Sequence, residues 1–252
     1  MAHGLAEIAD IDWAAPWLGP YRAVGQLLAD KIEHGASCAS ALSSVAASGQ
    51  LRFVPQDELP AGASYESFIF QSRCVPTRDG LHDFFNGLVW HHFPQSKQAL
   101  NRVQAEQIQR SGQGPVRGAV RDAVTVFDEN AALLRAPDIL WEALAKRQWH
   151  RLFGELRPLW QESHLILFGH ALLEKLVTPR KAITAHVLRI SPPSDHLPDI
   201  DDWLADHLDV EVLKRKPYQP LPVLGVPGWW PANAEADFYA DTEVFRAARD
   251  RA

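Results

Sequence analysis

A helical pattern downstream of Pro76 gathers polar side chains on one face. At about 100° per residue, an imidazole, two carboxylates, an amide and an indole fall opposite the apolar side: His82, Asp79, Asp83, Asn86 and Trp90. Residues four apart on a helix are neighbours, so His82 and Asn86 can address one point. This group fits a metal ion, an acid–base pair or a polar substrate, and Arg78 adds an anion site at the helix N-terminus. A solvated face with Asp79 as a cap is the alternative.

A second polar pair interrupts an apolar stretch that predicts a helix from Leu159 to Leu176. His170 and Glu174 lie four residues apart and share one face of that helix. A carboxylate and an imidazole in a mostly buried helix are unfavourable unless each is paired or ligating. Their spacing suits one metal ion, but two ligands do not make a zinc site, and a buried ion pair that stabilises the core is the structural alternative.

Three further groups carry weaker signals. Asp241 lies in a Pro-rich C-terminal segment, where it either closes over a pocket or is surface charge. Asp128 and its polar neighbours suit a cation, although a hairpin turn also explains them. His91 and His92 are adjacent and point about 100° apart, which favours a packed core His92 over a pair of ligands.

Composition excludes several classes of protein. The chain has 252 residues, 46% of them hydrophobic, with a formal net charge of -6. That charge argues against the basic surface that nucleic-acid binding requires, and no apolar run reaches the roughly 18 residues that cross a membrane. Two cysteines are too few for a disulfide framework. The N-terminus lacks the basic-then-apolar order of a signal peptide, so we expect a cytoplasmic protein.

Several catalytic motifs are absent from the sequence. It contains no Gly-x-Ser-x-Gly, no Gly-x-x-x-x-Gly-Lys, no Gly-x-Gly-x-x-Gly after a strand and no His-Glu-x-x-His. Serine hydrolases of the common fold, P-loop NTPases, dinucleotide-dependent dehydrogenases and zincins are therefore disfavoured.

The elements that must position these residues are mainly helical. Apolar spacing predicts helices over 21–32, 76–94, 97–110, 159–176 and 200–208, a helix that starts at Asp138, and a strand over 182–190. Residues 65–73 suit either a strand or helical turns. Alternation around Val124 predicts a β-hairpin over 121–134. We therefore predict a mainly α, α+β fold: a single domain over 1–252 with packed helices, one β-hairpin and one strand.

The segment 217–246 has an unusual composition. It holds five prolines together with apolar residues: Leu221, Val223, Leu224, Trp229 and Trp230. Proline at this density opposes regular structure, whereas the apolar surface requires burial. We expect an ordered strap packed on the core, with at least one of the two tryptophans largely buried.

The same polar helix carries a family resemblance. The motifs are Val75-Pro76-Thr77-Arg78, His82-Asp83-Phe84-Phe85-Asn86, Phe93-Pro94-Gln95-Ser96-Lys97, Phe127-Asp128-Glu129-Asn130, Phe168-Gly169-His170-Ala171-Leu172-Leu173-Glu174, Pro220-Leu221-Pro222-Val223-Leu224-Gly225-Val226-Pro227-Gly228-Trp229 and Asp237-Phe238-Tyr239-Ala240-Asp241. Through them the whole chain resembles an uncharacterised bacterial family, domain of unknown function 3025. The resemblance implies no activity, cofactor or catalytic residue.

Two functional hypotheses follow from the residues. The first is an enzyme, a hydrolase or lyase acting on a small anionic substrate in a polar pocket between the 76–94 and 159–176 helices. Catalytic roles fall to His82, Asp83, His170 and Glu174, and substrate binding to Arg78, Asn86, Trp90 and Asp241. A divalent metal is an open alternative for its chemistry. The second hypothesis is a non-catalytic protein that binds a hydrophobic metabolite or a protein partner. Oligomeric state is left open by the sequence.

Overall fold

The computed structural model describes residues 2–46, 51–111 and 118–248. Its α-helices are α1 (Ala2–Ala9), α2 (Arg22–Glu33), α3 (Cys38–Ser43), α4 (Tyr65–Ser72), α5 (Leu81–His92), α6 (Pro94–Ser111), α7 (Ala119–Asn130), α8 (Asp138–Ala145), α9 (His170–Lys175), α10 (Leu197–His207) and α11 (Val210–Lys214). Its strands are β1 (Arg52–Pro55), β2 (Cys74–Thr77), β3 (Ala131–Arg135), β4 (His164–Leu167), β5 (Thr184–Arg189) and β6 (Gln219–Pro222). The fold is therefore helix-rich α+β. Within the described ranges, no helix is long and apolar enough to cross a membrane.

The chain forms two compact units. The first comprises Met1–Ala14, Leu18–Asp128 and Pro192–Lys216, and the second comprises Ala15–Trp17, Glu129–Ser191 and Pro217–Ala252. The first contains the parallel pair β1–β2, and the second contains a sheet of order β4-β3-β5-β6. The single domain over 1–252 stays a prediction.

Helix α5 carries four of the predicted site residues, His82, Asp83, Asn86 and Trp90. All side chains from residue 83 to residue 90 are buried along it. Gly87 permits the close approach of α3, because a Cβ there would lie 2.4 Å from Cδ1 of Leu42. The predicted start at Pro76 is wrong: the helix begins at Leu81, because Cys74–Thr77 form the strand that pairs with β1.

Pro94 begins α6 immediately after α5 ends. Proline suits the first position of a helix, since its missing N–H has no intrahelical partner there. The next two backbone N–H groups, those of Gln95 and Ser96, each donate to the carboxylate of Asp201 at 2.8 Å. A residue from α10 therefore caps α6, and the predicted helix over 97–110 lies within it.

The sheet of the second unit is built around β3. Four of its five residues are fully enclosed, with only Arg135 partly exposed. β3 pairs antiparallel with β4 and parallel with β5, which lies within the predicted strand over 182–190. Because β3 has neighbours on both edges and apolar residues on both faces, it forms the centre of this unit.

The predicted β-hairpin over 121–134 is wrong in its first half. Residues 119–130 form α7, and only 131–135 form a strand. The buried residues of α7 are Val120, Ala123, Val124 and Phe127. Their spacing is i, i+3, i+4 and i+7, which is the helical pattern. The alternation around Val124 was too short to outweigh it.

The predicted helix over 159–176 is also wrong. This stretch is a 3-10 segment (Arg157–Glu162), then β4, then the short helix α9. A continuous apolar run fits a buried strand as well as a buried helix, and periodicity alone does not separate them. Pairing with β3 decides the outcome here, with Leu167 opposite Ala132. His170 consequently lies at the start of a helix and not in its middle.

The segment 217–246 contains β6 and three 3-10 turns. Leu221, Val223 and Leu224 are buried in the second unit, whereas Trp229 and Trp230 are partly exposed. The buried apolar residues of this segment therefore include these aliphatic side chains together with the aromatic rings of Phe238, Tyr239 and Phe245.

Two buried polar side chains hold this segment in shape. Nδ2 of Asn233 donates to the carbonyl oxygens of Leu224 and Val226 at 2.8 and 2.7 Å. The hydroxyl of Tyr239 donates to the carbonyl of Gly225 at 2.9 Å. These hydrogen bonds satisfy backbone oxygens of residues 224–226, which lie beyond the end of β6.

Candidate functional site

Asp83 and Arg78 form an ion pair at the start of α5. Asp83 is 8% exposed, and its carboxylate accepts a hydrogen bond from the backbone N–H of Arg78 at 2.6 Å. It also accepts from Nε and Nη2 of Arg78, each at 3.0 Å. Three acceptor positions of one carboxylate are thus used by one residue. The pair fixes the turn between β2 and α5, which is a structural role for two predicted site residues.

Asn86 belongs to a buried network around Lys97. The ammonium group of Lys97, a residue 4% exposed, donates to Oδ1 of Asn86 at 2.9 Å and to Oδ1 of Asp128 at 2.5 Å. It also lies 5.3 Å from the ring centroid of Trp90. Nδ2 of Asn86 donates to the hydroxyl of Tyr65 at 3.2 Å. We call these five residues the Lys97 network.

Asp128, for which the sequence suggested a hairpin turn or a cation site, belongs to the Lys97 network. The residue lies in the last turn of α7 and not in a hairpin turn, and its carboxylate meets a protein cation. Burial raises the pKa of Tyr65, and the nearby carboxylates of Asp83 and Asp128 act in the same direction. A neutral phenol is therefore the form that accepts from Asn86.

Two other polar residues of this region have defined surroundings. Asp79 lies before α5, not on it, and accepts from the backbone N–H of Cys38 at 2.9 Å. Burial raises the pKa of the Cys38 thiol to about 12. His82 is partly buried in the first turn of α5, one turn before Asn86. Its acid–base role stays a prediction.

His170 and Glu174 lie on α9 in the second unit. His170 is 5% exposed, and Glu174 is partly exposed one turn later. The preceding Gly169 permits a close approach, because a Cβ there would lie 2.4 Å from the carbonyl oxygen of Glu129 and 2.5 Å from the backbone nitrogen of Asn130. The pocket that these residues were predicted to share with α5 stays a prediction.

Asp241 forms an ion pair in the second unit. Its carboxylate lies 3.1 Å from Nζ of Lys181, and that ammonium also lies 4.4 Å from the ring centroid of Phe238. The hydrogen bond from Lys181 lowers the pKa of Asp241. Its predicted contact with a substrate stays a prediction. Across the described ranges, no group of three or more His, Cys, Asp or Glu side chains could hold a metal ion.

A cavity of about 360 Å³ opens in the first unit where α4, α5, α6 and α10 meet. We call it the α4–α6 cavity. Its apolar wall includes Leu51, Ile69, Phe70 and Trp90. Its polar lining includes Arg73, Arg102, Gln98, Asn101 and Asp206. Phe70 is 50% exposed, so a large apolar ring stands open at this cavity.

Trp90 is the only residue of the predicted site that lines this cavity in the described structure. Sequence reasoning missed the two arginines. One signal was available for Arg102, since Gln98 and Arg102 are four apart on α6 and so share a face. Arg73 gave no signal, because its place depends on the left-handed turn that ends α4.

A larger groove lies in the second unit. It has a volume of about 860 Å³ and is lined by Trp149, Arg147, Thr184 and the β6 residues Gln219, Pro220 and Pro222, together with the segment from Glu243 to Ala248. The strap segment thus borders a groove whose lining combines Trp149 and two prolines with polar and charged residues, and a hydrophobic ligand there stays a prediction.

Comparison with known proteins yields one match. The model of a family described as "Protein of unknown function (DUF3025)" matches residues 51–249. No curated protein and no solved structure matches the chain. Function must therefore be argued from this chain's own cavities and charges.

Proposed function

The chain belongs to the DUF3025 family of proteins of unknown function, and we propose that it binds a small anionic molecule in the α4–α6 cavity. One observation carries the proposal. Arg73 and Arg102 line the same cavity, and neither guanidinium has an ion-pair partner among the described residues. A guanidinium presents planar donors that match a carboxylate or a phosphate. The cavity volume lies in the lower part of the usual range for ligand sites, about 300–1,000 Å³.

The backbone of Arg73 supports a functional reason for this side chain. Arg73 ends α4 with φ 55° and ψ 29°, in the left-handed region. Glycine is the usual residue at such a position, and another residue there costs roughly 1–2 kcal/mol. A strained position that nevertheless carries an arginine at a cavity is typical of a functional site.

Binding is better supported than catalysis. Asp83, which was predicted to act with His82, accepts from Arg78, and Asn86, which was predicted to hold the substrate, belongs to the Lys97 network. A hydrolase or lyase reaction, and a divalent metal serving it, are therefore weaker proposals. A hydrophobic ligand in the groove beside β6 is the second candidate, favoured by the Trp149 and proline lining.

The test measures the binding of small anions to the full chain by thermal shift and by titration calorimetry. We expect Arg73→Gly and Arg102→Met each to weaken binding about tenfold or more, since each removes a charge-assisted hydrogen bond. Arg73→Gly should also keep or raise the melting temperature, because glycine relieves the left-handed strain. Loss of affinity in a protein that is no less stable separates a role in binding from a role in folding.

Arg110→Met is the matched control. Arg110 lies on α6 like Arg102, pairs with Glu106 at 3.8 Å and does not line the cavity. Its replacement should leave affinity unchanged. If no anion binds saturably, or if binding survives loss of both cavity arginines, the proposed function is wrong.

A further inference from the structure

We infer that the ligand of the α4–α6 cavity is a monoanion, a carboxylic acid carried on a flat apolar body. The inference rests on the proposed function and adds the chemical class of the ligand. It follows from three features of the lining: its charge balance, the geometry of its two guanidinium donors, and its aromatic wall.

Charge balance favours a single negative charge. Two guanidinium groups, Arg73 and Arg102, and one carboxylate, Asp206, give the ionisable residues lining the cavity a net charge of +1. A monoanion neutralises this set. A phosphate monoester carries about −1.5 to −2 at neutral pH, so it would leave excess negative charge beside Asp206, which is unfavourable in a partly enclosed site.

Two side-chain amides of the lining already donate to carbonyl groups of the protein. Nε2 of Gln98 donates to the carbonyl of Pro94 at 3.1 Å, and Nδ2 of Asn101 donates to the carbonyl of Glu66 at 2.8 Å. The N-terminus of α6, where an anion would otherwise bind, is occupied by the Asp201 carboxylate. The two guanidinium groups are the cationic donors of the lining, and their planar fork matches the two oxygens of a carboxylate.

The apolar wall of the α4–α6 cavity favours a ligand with a planar apolar part. Trp90 is 5% exposed, and Nζ of Lys97 lies 5.3 Å from its ring centroid. Phe70 is 50% exposed, so its ring is accessible to a ligand in the cavity. Ile69 and Leu51 complete this wall. Aromatic rings gain additional stabilisation from stacked or edge contacts, so a planar ligand uses this surface best.

Three probes of similar shape test the inference at pH 8 by calorimetry: 2-naphthylacetate, 2-naphthyl phosphate and the neutral 2-naphthylacetamide. We expect the acetate to bind about tenfold or more tightly than the amide, which lacks the charge-assisted hydrogen bonds. It should also bind several-fold more tightly than the phosphate. Phe70→Ser, at an exposed position, should weaken the acetate by roughly two- to tenfold.

Asp206→Asn is the informative variant, because it raises the net charge of the lining to +2. The phosphate should gain several-fold in affinity and more than the acetate gains. Asp202→Asn, on the same helix but not in the cavity lining, should change neither affinity.

The outcomes separate the two proposals. Tighter binding of the phosphate than of the acetate in the unmodified chain, lost in Arg73→Gly, overturns the monoanion inference and leaves anion binding intact. Equal binding of acetate and amide overturns it as well. Failure of all three probes and of simple carboxylates and phosphates to bind overturns the proposed function itself.

Discussion

Replacing Asp128 by asparagine tests whether the Lys97 network is a buried ion pair that holds the first unit together. The substitution keeps the size of the side chain and removes its charge. Lys97, 4% exposed, would then retain Asn86 and the Trp90 ring but lose its anion. Because Lys97 is so enclosed, hydration would compensate only part of its charge.

The expected cost follows from the burial of the two partners. Removal of one partner from a fully buried pair costs about 3–5 kcal/mol. The Asp128 side chain is 21% exposed, so the pair is already partly hydrated, and we expect about 2–4 kcal/mol. At about 2–4 °C per kcal/mol for a chain of this size, the melting temperature should fall by about 5–15 °C.

Urea unfolding followed by tryptophan fluorescence and by circular dichroism measures this change. Asp122→Asn is the matched control on the same helix. Asp122 pairs with Lys216 at 2.6 Å, but those side chains are 54% and 48% exposed. A surface pair of this kind contributes about 0–1 kcal/mol.

The result that would refute this reasoning is an Asp128→Asn variant no less stable than Asp122→Asn. A second variant checks the physical cause. Adding Lys97→Met to Asp128→Asn should restore part of the stability, because it replaces an uncompensated buried charge by an apolar side chain. Further destabilisation would show that packing, and not charge, explains the first result.

Three smaller predictions concern other sites. Burial lowers the pKa of His91 from 6.5 to about 4, so its contribution is complete above pH 6.5 and is lost as pH falls to 4; the loss is at most about 3 kcal/mol. His91→Gln should reduce the pH dependence of the free energy of unfolding, measured with urea, across that window. An unchanged pH dependence would contradict this. Asn233→Ala should cost about 1–3 kcal/mol in thermal unfolding, since it leaves the Leu224 carbonyl without its donor, whereas the Val226 carbonyl keeps the backbone N–H of Trp229; a cost below about 1 kcal/mol would show that water replaces the lost amide donor. Gly169→Ala should cost more than about 2 kcal/mol because a Cβ meets backbone within 2.4 Å, whereas Gly154→Ala has open space and should be near neutral.

The sequence by itself determined the composition class and much of the helical content. The helix-rich α+β fold, the helix inside 97–110 and the strand inside 182–190 follow from apolar spacing and from proline positions. The family was evident too, since the motifs from Val75 to Asp241 lie within the residues 51–249 that its model matches. These properties are local in the chain, so a sequence reader meets them directly.

The prediction of secondary structure from local patterns was wrong where both a helix and a strand fit the same residues. Alternation around Val124 lost to the longer i, i+3, i+4, i+7 spacing of α7. The apolar run before His170 became a strand because β3 offered it a pairing edge. In both cases the competing signal was either longer in range or lay in another part of the chain.

Only the tertiary structure decided which polar residues are available to a ligand. The sequence predicted a catalytic role for Asp83 and a substrate-binding role for Asn86. In the fold, Arg78 donates to Asp83 and Lys97 donates to Asn86. The cavity arginines, one at a left-handed turn, had no motif around them. Availability depends on which distant side chains satisfy a buried polar group, and that is a property of packing, which spacing along the chain does not encode.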